Sequence, residues 1–313
     1  MSVYVTRSAR GGVRAVGAAV LVSVLVAGCS AGESQDPAQG RKVPASAGAG
    51  TGSTGGGPVA AFSLPSAHVH GVGINPADGV VHLATHDGLF AYRENGPVRV
   101  GPVVDLMGFT VAGPDHFYAS GHPGPGVDLP QPVGLIESTD GGRTWVAVSR
   151  QGESDFHALS ALAGGVIGFD GQLRRSTDTT TWTALEAPVQ PFALASSPQG
   201  PTVLVTSPDG PALSTDAGQT WSLLEQAPLL QVAAMADATT VVGVSPDGTV
   251  AVSEDAGATW SPRGAVVGPP HGVAATRTDG ASLQVVVVTS RGVFSSLDGG
   301  STFTSLEEGG GAS

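Results

Sequence analysis

Short apolar stretches separated by glycine-rich polar turns run through most of the chain, from about residue 66 to residue 307. The first of them read His70-Gly-Val-Gly-Ile74, Val80-Val-His-Leu-Ala84, Leu89-Phe-Ala-Tyr92 and Val98-Arg-Val100. Runs of this length, bounded by turn formers, are typical of β-strands. The 47 glycines and 23 prolines argue against a helical bundle, because both residues disfavour helix interiors. The pattern therefore predicts an all-β domain with many short strands.

One polar motif returns five times at nearly constant intervals. Its full form is Ser-x-Asp-x-Gly-x-Thr-Trp, with a shortened second copy and with phenylalanine in place of tryptophan in the last. The copies begin at residues 138, 176, 214, 253 and 296, so successive starts are 38, 38, 39 and 43 residues apart. A period near 40 residues matches one four-stranded blade of a β-propeller. We predict a six-bladed β-propeller whose innermost strands begin near His70, Met107, His157, Phe192, Gln231 and His271.

The motif resembles the Asp box, also called the BNR repeat, of sialidases, sortilin-type receptors and related β-propellers. In those families the box joins the third and fourth strands of a blade and is not catalytic. The chemistry of the motif agrees, because an Asp carboxylate can accept backbone N–H groups across a tight turn and glycine tolerates a positive φ there. The resemblance therefore implies a structural role for Asp140, Asp178, Asp216, Asp255 and Asp298.

A basic head and an apolar stretch open the chain. Three arginines precede a largely apolar stretch of 13 residues, 15–27, which is too short to span a bilayer as a helix but typical of a signal-peptide core. The stretch ends in Val26-Ala-Gly-Cys29, which resembles a bacterial lipobox. We therefore expect residues 1–28 to be a lipoprotein signal peptide and Cys29 to be lipidated. This implies an extracytoplasmic protein anchored to the cell membrane by lipid.

Residues 29–57 are mostly Gly, Ser, Ala and Pro, so they predict a flexible linker between the lipidated Cys29 and a propeller formed by residues 58–313. The formal net charge of −12 argues against a nucleic-acid partner, because nucleic-acid binding needs a basic surface. We expect a monomer whose partners are the membrane, through the lipid, and a small ligand or metal.

Six of the eight histidines map to one end of the predicted propeller. In a four-stranded blade, the loop before strand one and the loop between strands two and three open on the same face, here named the near face. The Asp boxes mark the opposite, far face. The blade alignment places these histidines on the near face: His68, His70, His86, His122, His157 and His271. His70, His157 and His271 head equivalent inner strands and are expected to converge at the axis.

Converging imidazoles with carboxylates nearby suit Zn²⁺, Cu²⁺ or Fe²⁺. Met107 heads the inner strand of blade 2 and would add a soft ligand that favours copper. The alternative for each histidine is a polar group that lines a water-filled channel and bonds to backbone. No local zinc motif such as His-Glu-x-x-His occurs, so the prediction of copper or zinc depends on the blade alignment. Our first hypothesis is a His-lined mouth that binds a transition metal or a small polar ligand.

An enzyme is the alternative. Asp87, Asp155 and Glu153 are near-face candidates for the acid and base of a glycoside hydrolase, and Asp155 could also activate a metal-held water. Sialidase activity is not expected, because the family's Arg-Ile-Pro motif is absent and neither Tyr92 nor Tyr118 is predicted on the near face beside a glutamate. A second alternative is a protein-interaction platform that uses the Pro/Gly-rich loop 121–132.

The propeller region is also similar to a group of envelope lipoproteins from GC-rich bacteria. The shared segments are His68 to Gly71, Thr85 to Phe90, Met107 to Thr110, Ser120 to Pro123 and Asp155 to His157. Members of this group are labelled BNR-repeat or glycosylhydrolase-like because of the repeat. The resemblance implies the fold better than the activity, since one fold carries many functions.

Overall fold

The computed structural model describes residues 68–278 and 282–307. The predicted signal peptide, Cys29 and the linker lie outside these residues. The strands form six four-stranded antiparallel sheets, so the prediction of an all-β, six-bladed propeller is confirmed. Within residues 68–278 and 282–307, no helix capable of crossing a membrane is found.

Each blade consists of four consecutive strands. Blades 1 and 2 contain β1 (Val69–Ile74), β2 (Val81–Thr85), β3 (Gly88–Arg93) and β4 (Gly96–Val100), then β5 (Val104–Gly113), β6 (His116–Pro123), β7 (Leu135–Ser138) and β8 (Val146–Ser149). Blades 3 and 4 contain β9 (Ala158–Leu162), β10 (Gly165–Phe169), β11 (Leu173–Ser176) and β12 (Trp182–Leu185), then β13 (Ala193–Ser196), β14 (Val203–Thr206), β15 (Ala212–Ser214) and β16 (Ser222–Leu223). Blades 5 and 6 contain β17 (Val232–Met235), β18 (Val241–Val244), β19 (Thr249–Ser253) and β20 (Ser261–Ala265), then β21 (Pro270–Thr278), β22 (Ser282–Thr289), β23 (Gly292–Ser296) and β24 (Thr304–Ser305).

The first strands of the blades form the wall of the central channel. Each packs against the first strand of the next blade, and β21 packs against β1, so the ring closes within the described residues. The predicted starts of these strands differ from the observed ones by one residue in five blades. In blade 2 the difference is three residues. Strand β5 begins at Val104, three residues before the predicted start at Met107, and its pairing register with β6 shifts at Met107.

The core lies between the blades. Six apolar clusters each join residues of two neighbouring blades, one cluster at every junction of the ring. Strand β22 shows how one strand contributes to two clusters, because its side chains alternate between the two faces of the sheet. Val285 and Val287 pack toward blade 5, whereas Val286 and Val288 pack toward blade 1. A continuous apolar run therefore fills two junctions at once.

The motif turns join the third and fourth strands of blades 2 to 6, on the far face. In blade 5, the Ser253 hydroxyl donates to Asp255 Oδ1 at 2.8 Å and accepts the Gly257 N–H at 2.7 Å. Asp255 also accepts the Thr259 N–H at 2.8 Å and the Thr259 hydroxyl at 2.6 Å. The same set of bonds recurs in the copies that begin at Ser138, Ser214 and Ser296. The motif residues thus satisfy each other's polar groups within the turn.

Removing one motif hydroxyl tests this role. We expect Ser253→Ala to lower the free energy of unfolding by about 1–3 kcal/mol, because the buried Gly257 N–H loses its acceptor. Urea unfolding followed by circular dichroism measures the change. Ser261→Ala, on the exposed strand β20 of the same blade, is the matched control, with an expected change of at most about 0.5 kcal/mol. Equal losses in the two variants would contradict a structural role for the motif bonds.

The motif aspartates predict that the stability of the protein decreases in acid. Hydrogen bonds led by the Thr220 and Thr259 hydroxyls lower the pKa of Asp216 and of Asp255, respectively, to about 2. Since an unfolded Asp has a pKa of about 3.9, the stability from these bonds is complete above that value and is lost as the pH falls toward 2. We expect the urea midpoint of the native protein to fall between about pH 4 and pH 2. The fall is expected to be smaller in Asp216→Asn/Asp255→Asn, and the same loss in both proteins would refute the assignment.

Candidate functional site

The six first strands enclose a central cavity of about 450 Å³. His70, His157 and His271 all line it, as the blade alignment predicted for these equivalent positions. Met107, the other candidate metal ligand predicted at a strand head, does not line the cavity, whereas the next residue, Gly108, does. A β-bulge lies at each of His70, Met107 and His271, where the pairing register with the next strand shifts. Such bulges re-aim one side chain of a strand.

Five histidines and two aspartates lie side by side at the near-face mouth, across blades 1, 2 and 3. We name this group the His–Asp arc; its members are His68, His70, His86, Asp105, His122, Asp155 and His157. It begins in blade 1, where the Nε2 atoms of His70 and His86 lie 3.0 Å apart. The Nδ1 atom of His86 lies 2.7 Å from Asp105 Oδ1 in blade 2. The ring of His68 is centred 6.2 Å from that of His86.

The arc continues into blade 3 through the other carboxylate oxygen of Asp105. Asp105 Oδ2 lies 3.6 Å from His122 Nδ1. On the opposite side of the same ring, His122 Nε2 lies 3.4 Å from Asp155 Oδ2. Asp155 Oδ2 is in turn 2.9 Å from His157 Nε2. Carboxylates and imidazoles therefore alternate from His86 to His157.

Local structure holds the blade 1 part of the arc in place. His70 occupies the bulge between Val69 and Gly71, and His86 lies in the tight turn between β2 and β3. In that turn the buried Thr85 hydroxyl donates to the Gly88 carbonyl at 2.9 Å. The turn therefore has a fixed shape that presents His86 beside the head of β1.

A glycine brings Asp105 and His122 together in blade 2. The two residues are direct partners in the β5–β6 pairing. Gly121, which precedes His122, has a φ of 146°, and a Cβ at this position would lie 1.9 Å from the Asp105 carbonyl oxygen. Only glycine permits this close approach of the two backbones. The side chains of Asp105 and His122 thus reach the mouth as neighbours.

A buried phenylalanine anchors Asp155 and His157 in blade 3. Phe156, which lies between them, is fully buried and stacks on Trp182 with ring centres 4.8 Å apart. Its N–H donates to the buried Ser120 hydroxyl of blade 2 at 3.0 Å. With Phe156 fixed, the residues on both sides of it are held at the mouth.

Burial and the neighbouring His86 lower the pKa of His70 below its usual value. Because an ionised carboxylate can only accept a hydrogen bond, His86 donates its Nδ1 proton to Asp105 Oδ1. Asp155 Oδ1 is buried and has no hydrogen-bond partner in the part of the chain that the structure describes.

Other predicted site residues are not part of the arc. His271 lines the cavity, but no hydrogen bond, ion pair or ring contact joins it to the arc in the described ranges. Asp87 is exposed, with its backbone N–H bonded to Thr85. Glu153 is 66% exposed and lies 3.4 Å from Arg150. Glu153 and Asp155 line the same surface groove beside blade 3.

Both propeller tyrosines lie beside glutamates, which the sequence did not indicate. Burial and a hydrogen bond to Glu137 raise the pKa of Tyr118 to about 12, and burial with Glu307 does the same for Tyr92. Tyr118 belongs to the apolar cluster between blades 2 and 3, and neither tyrosine lines the central cavity. A raised pKa is the opposite of what an activated nucleophile needs.

Asp105 is the member of the arc that the sequence analysis missed. The sequence did contain an indication of its place. Asp105 stands two residues before Met107, and Asp155 stands two residues before His157, just as His68 stands two residues before His70. The blade alignment therefore gives His68, Asp105 and Asp155 equivalent positions.

The arc offers a set of nitrogen and oxygen donors that is open to solvent. The side chains of His86 and His157 are 42% and 61% exposed. A groove of about 490 Å³ adjoins the cavity between blades 3 and 4 and shares His157 and Phe192 with it. In the described ranges, no group of three or more His, Cys, Asp or Glu side chains that could hold a metal ion is found.

No protein-family model and no curated protein matches the chain. Among solved structures, the chain is similar to PorZ, a surface component of the type-IX secretion system of Porphyromonas gingivalis, with 16% identity and a TM-score of 0.52 over 76% of this chain and 32% of PorZ. It is also similar to the Niastella koreensis GH74 enzyme, with 18% identity and a TM-score of 0.50 over 78% of this chain and 38% of the enzyme.

A third similar structure is YCF48 bound to D1 peptide, with 17% identity and a TM-score of 0.42 over 66% of this chain and 70% of YCF48. The chain spans about a third of the length of PorZ and of the GH74 enzyme. At these identities, the likeness to PorZ and to the GH74 enzyme shows a shared β-propeller fold.

Proposed function

We propose that the near face of this propeller binds a first-row transition metal ion, copper or zinc, through the Nε2 atoms of His70 and His86. The observation that carries the proposal is the 3.0 Å separation of these two atoms. Two nitrogens bound to one ion at about 2.0–2.1 Å lie roughly 2.9–3.4 Å apart for angles between a right angle and the tetrahedral angle. The pair thus has the spacing of two cis ligands.

Asp105 supports this assignment. A metal-binding imidazole usually donates its second ring N–H to a carboxylate or carbonyl, which fixes the ring and the tautomer. Asp105 Oδ1 stands in that position, 2.7 Å from His86 Nδ1. Burial lowers the pKa of His70 and so favours the neutral ring, which is the ligand form of histidine.

The environment leaves room for further ligands. The two imidazoles lie at an open mouth, and His68 is a neighbour on the same side. Water, a small polar ligand or His68 would complete the coordination shell. With a lipid at Cys29, the expected extracytoplasmic protein would present this ion at the membrane surface.

Glycoside hydrolysis has less support from the contacts of the described residues. Among the described residues, no hydrogen bond or ion pair joins the side chains of Asp87 and Glu153 to the arc, and Asp155 is engaged by His157 and His122. A protein-interaction role is compatible with the fold, but no specific contact among the described residues supports it. Metal binding is therefore the function that the site favours.

Metal titration tests the proposal. We expect isothermal titration calorimetry of the purified protein with Cu²⁺ or Zn²⁺ to give stoichiometric binding, with the His70/His86 site lost in His70→Ala and in His86→Ala. Asp105→Asn is expected to weaken binding by about 10- to 100-fold, because the carboxylate that orients His86 loses its charge.

The matched control is His116→Ala. His116 is a partly exposed far-face histidine whose Nε2 lies 2.7 Å from Glu137, so its removal is expected to leave metal binding unchanged. A protein that binds neither ion, or variants of His70 and His86 that bind as well as the native protein, would refute the proposal.

A further inference from the structure

Exposed apolar side chains are concentrated on one half of the near face. Phe192, Leu229 and Val267 lie in the connections that lead into the first strands of blades 4, 5 and 6, and they are 60%, 49% and 67% exposed. We name these three residues the apolar crescent. Elsewhere in the described ranges, large exposed apolar residues are scattered over fourth strands and one motif turn: Val98, Val146, Leu223 and Leu297. Scattered residues of this kind need no explanation, whereas neighbouring ones mark a site of interaction.

Buried neighbours hold the apolar crescent in place. One residue adjacent to each member is buried in the fold: Pro191, Leu230 and Val266. Backbone hydrogen bonds fix the same connections, because the Phe192 N–H donates to the Thr206 carbonyl at 2.8 Å and the Val266 N–H donates to the Gly248 carbonyl at 3.0 Å. The exposed side chains are therefore presented by ordered backbone, and a partner that covers them has little backbone ordering to offset.

Carboxylates border the apolar crescent. The described near-face loops of blades 4 to 6 contain one arginine, Arg291, and four exposed acidic residues: Glu186, Asp209, Glu225 and Asp247. The whole chain has a formal net charge of −12. Complementary charge steers association and selects among partners. The surface therefore favours a partner whose apolar side chains are accompanied by positive charge.

Phe192 connects the apolar crescent to the groove between blades 3 and 4. Phe192 and the exposed Glu153 both line this groove. The Glu153 carboxylate lies 3.4 Å from Arg150, an exposed ion pair of a kind that contributes little to stability, so an incoming cation can compete for it. A guanidinium or ammonium group over the face of the Phe192 ring is also attracted by the ring electrons. The groove thus suits an arginine or lysine side chain.

We infer that the apolar crescent and the groove beside Phe192 form a docking surface for a segment of another protein, in which apolar residues are flanked by arginine or lysine. The inference goes beyond the proposed function, because His70, His86 and Asp105 take no part in it. The surface also lies apart from the loop 121–132. A second copy of this chain and an anionic lipid surface fit less well, because both carry the same sign of charge as the carboxylates around the crescent.

Selection from a random-peptide phage display library tests the inference. The purified protein is expected to enrich peptides in which leucine or phenylalanine is accompanied by arginine or lysine. The most enriched peptide is then synthesised with a fluorescent label, and anisotropy gives its Kd. We expect Phe192→Ser to raise this Kd by about 10-fold or more, because central aromatic residues dominate binding interfaces. Glu153→Gln is expected to raise it less, and only at low salt, since exposed charges are screened.

Leu223→Ser is the matched control. Leu223 is a similarly exposed apolar residue of blade 4, but it lies on the fourth strand β16 and away from the near-face loops. Its replacement is expected to leave the Kd unchanged. His86→Ala is also expected to bind the peptide as the native protein does, so a failure of the proposed metal site and a failure of this docking surface give different results. Circular dichroism confirms that each variant is folded.

Several outcomes would overturn the docking surface. The library could enrich no peptide, or only acidic or uncharged ones. Phe192→Ser and Leu229→Ser could bind the enriched peptide as well as the native protein does. Sedimentation equilibrium could show a dimer that Phe192→Ser dissociates, which would assign the surface to a second copy of the chain. Co-sedimentation with phosphatidylglycerol vesicles that is lost in Phe192→Ser would assign it to a lipid surface instead.

Discussion

The burial of both faces of every blade is the constraint on which the rest of this molecule depends. Each sheet is covered by its two neighbours, and an apolar cluster fills each of the six junctions. A blade cannot turn without opening two of these junctions. The loops at one end of the ring are therefore held in fixed positions relative to each other, although they are far apart in sequence.

The near face uses this rigidity to hold polar groups that would otherwise separate. Imidazoles from blades 1, 2 and 3 approach one another only because carboxylates stand between them. Asp105 links the rings of His86 and His122, and Asp155 links those of His122 and His157. In return, the rings supply partners for three of the four carboxylate oxygens. The remaining oxygen, Asp155 Oδ1, is buried and has no hydrogen-bond partner among the described residues.

Fold and function separate clearly in this chain. The far face carries the repeated serine, aspartate and threonine bonds, and these bonds close each turn upon itself. The near face carries groups that differ from blade to blade. Histidines concentrate in blades 1 to 3, whereas blades 4 and 5 have Phe192 and Gln231 at the same position. The repeat thus explains the scaffold, and the departures from the repeat locate the candidate site.

The sequence by itself determined the architecture, because short strands combined with a motif that returns about every 40 residues match the repeated four-stranded blades of a propeller. The same periodicity placed six histidines at one end, since equivalent positions in equivalent blades share a face. The periodicity could not show which of these histidines are in contact with each other. Such contacts depend on bulges, turn shapes and close backbone approaches, which a repeat length does not specify. The bulge at His70, the glycine before His122 and the buried Phe156 gather five histidines around Asp105 and Asp155. His271 has the same register as His70, yet the tertiary structure leaves it outside that group, since no carboxylate of a neighbouring blade reaches it within the described residues.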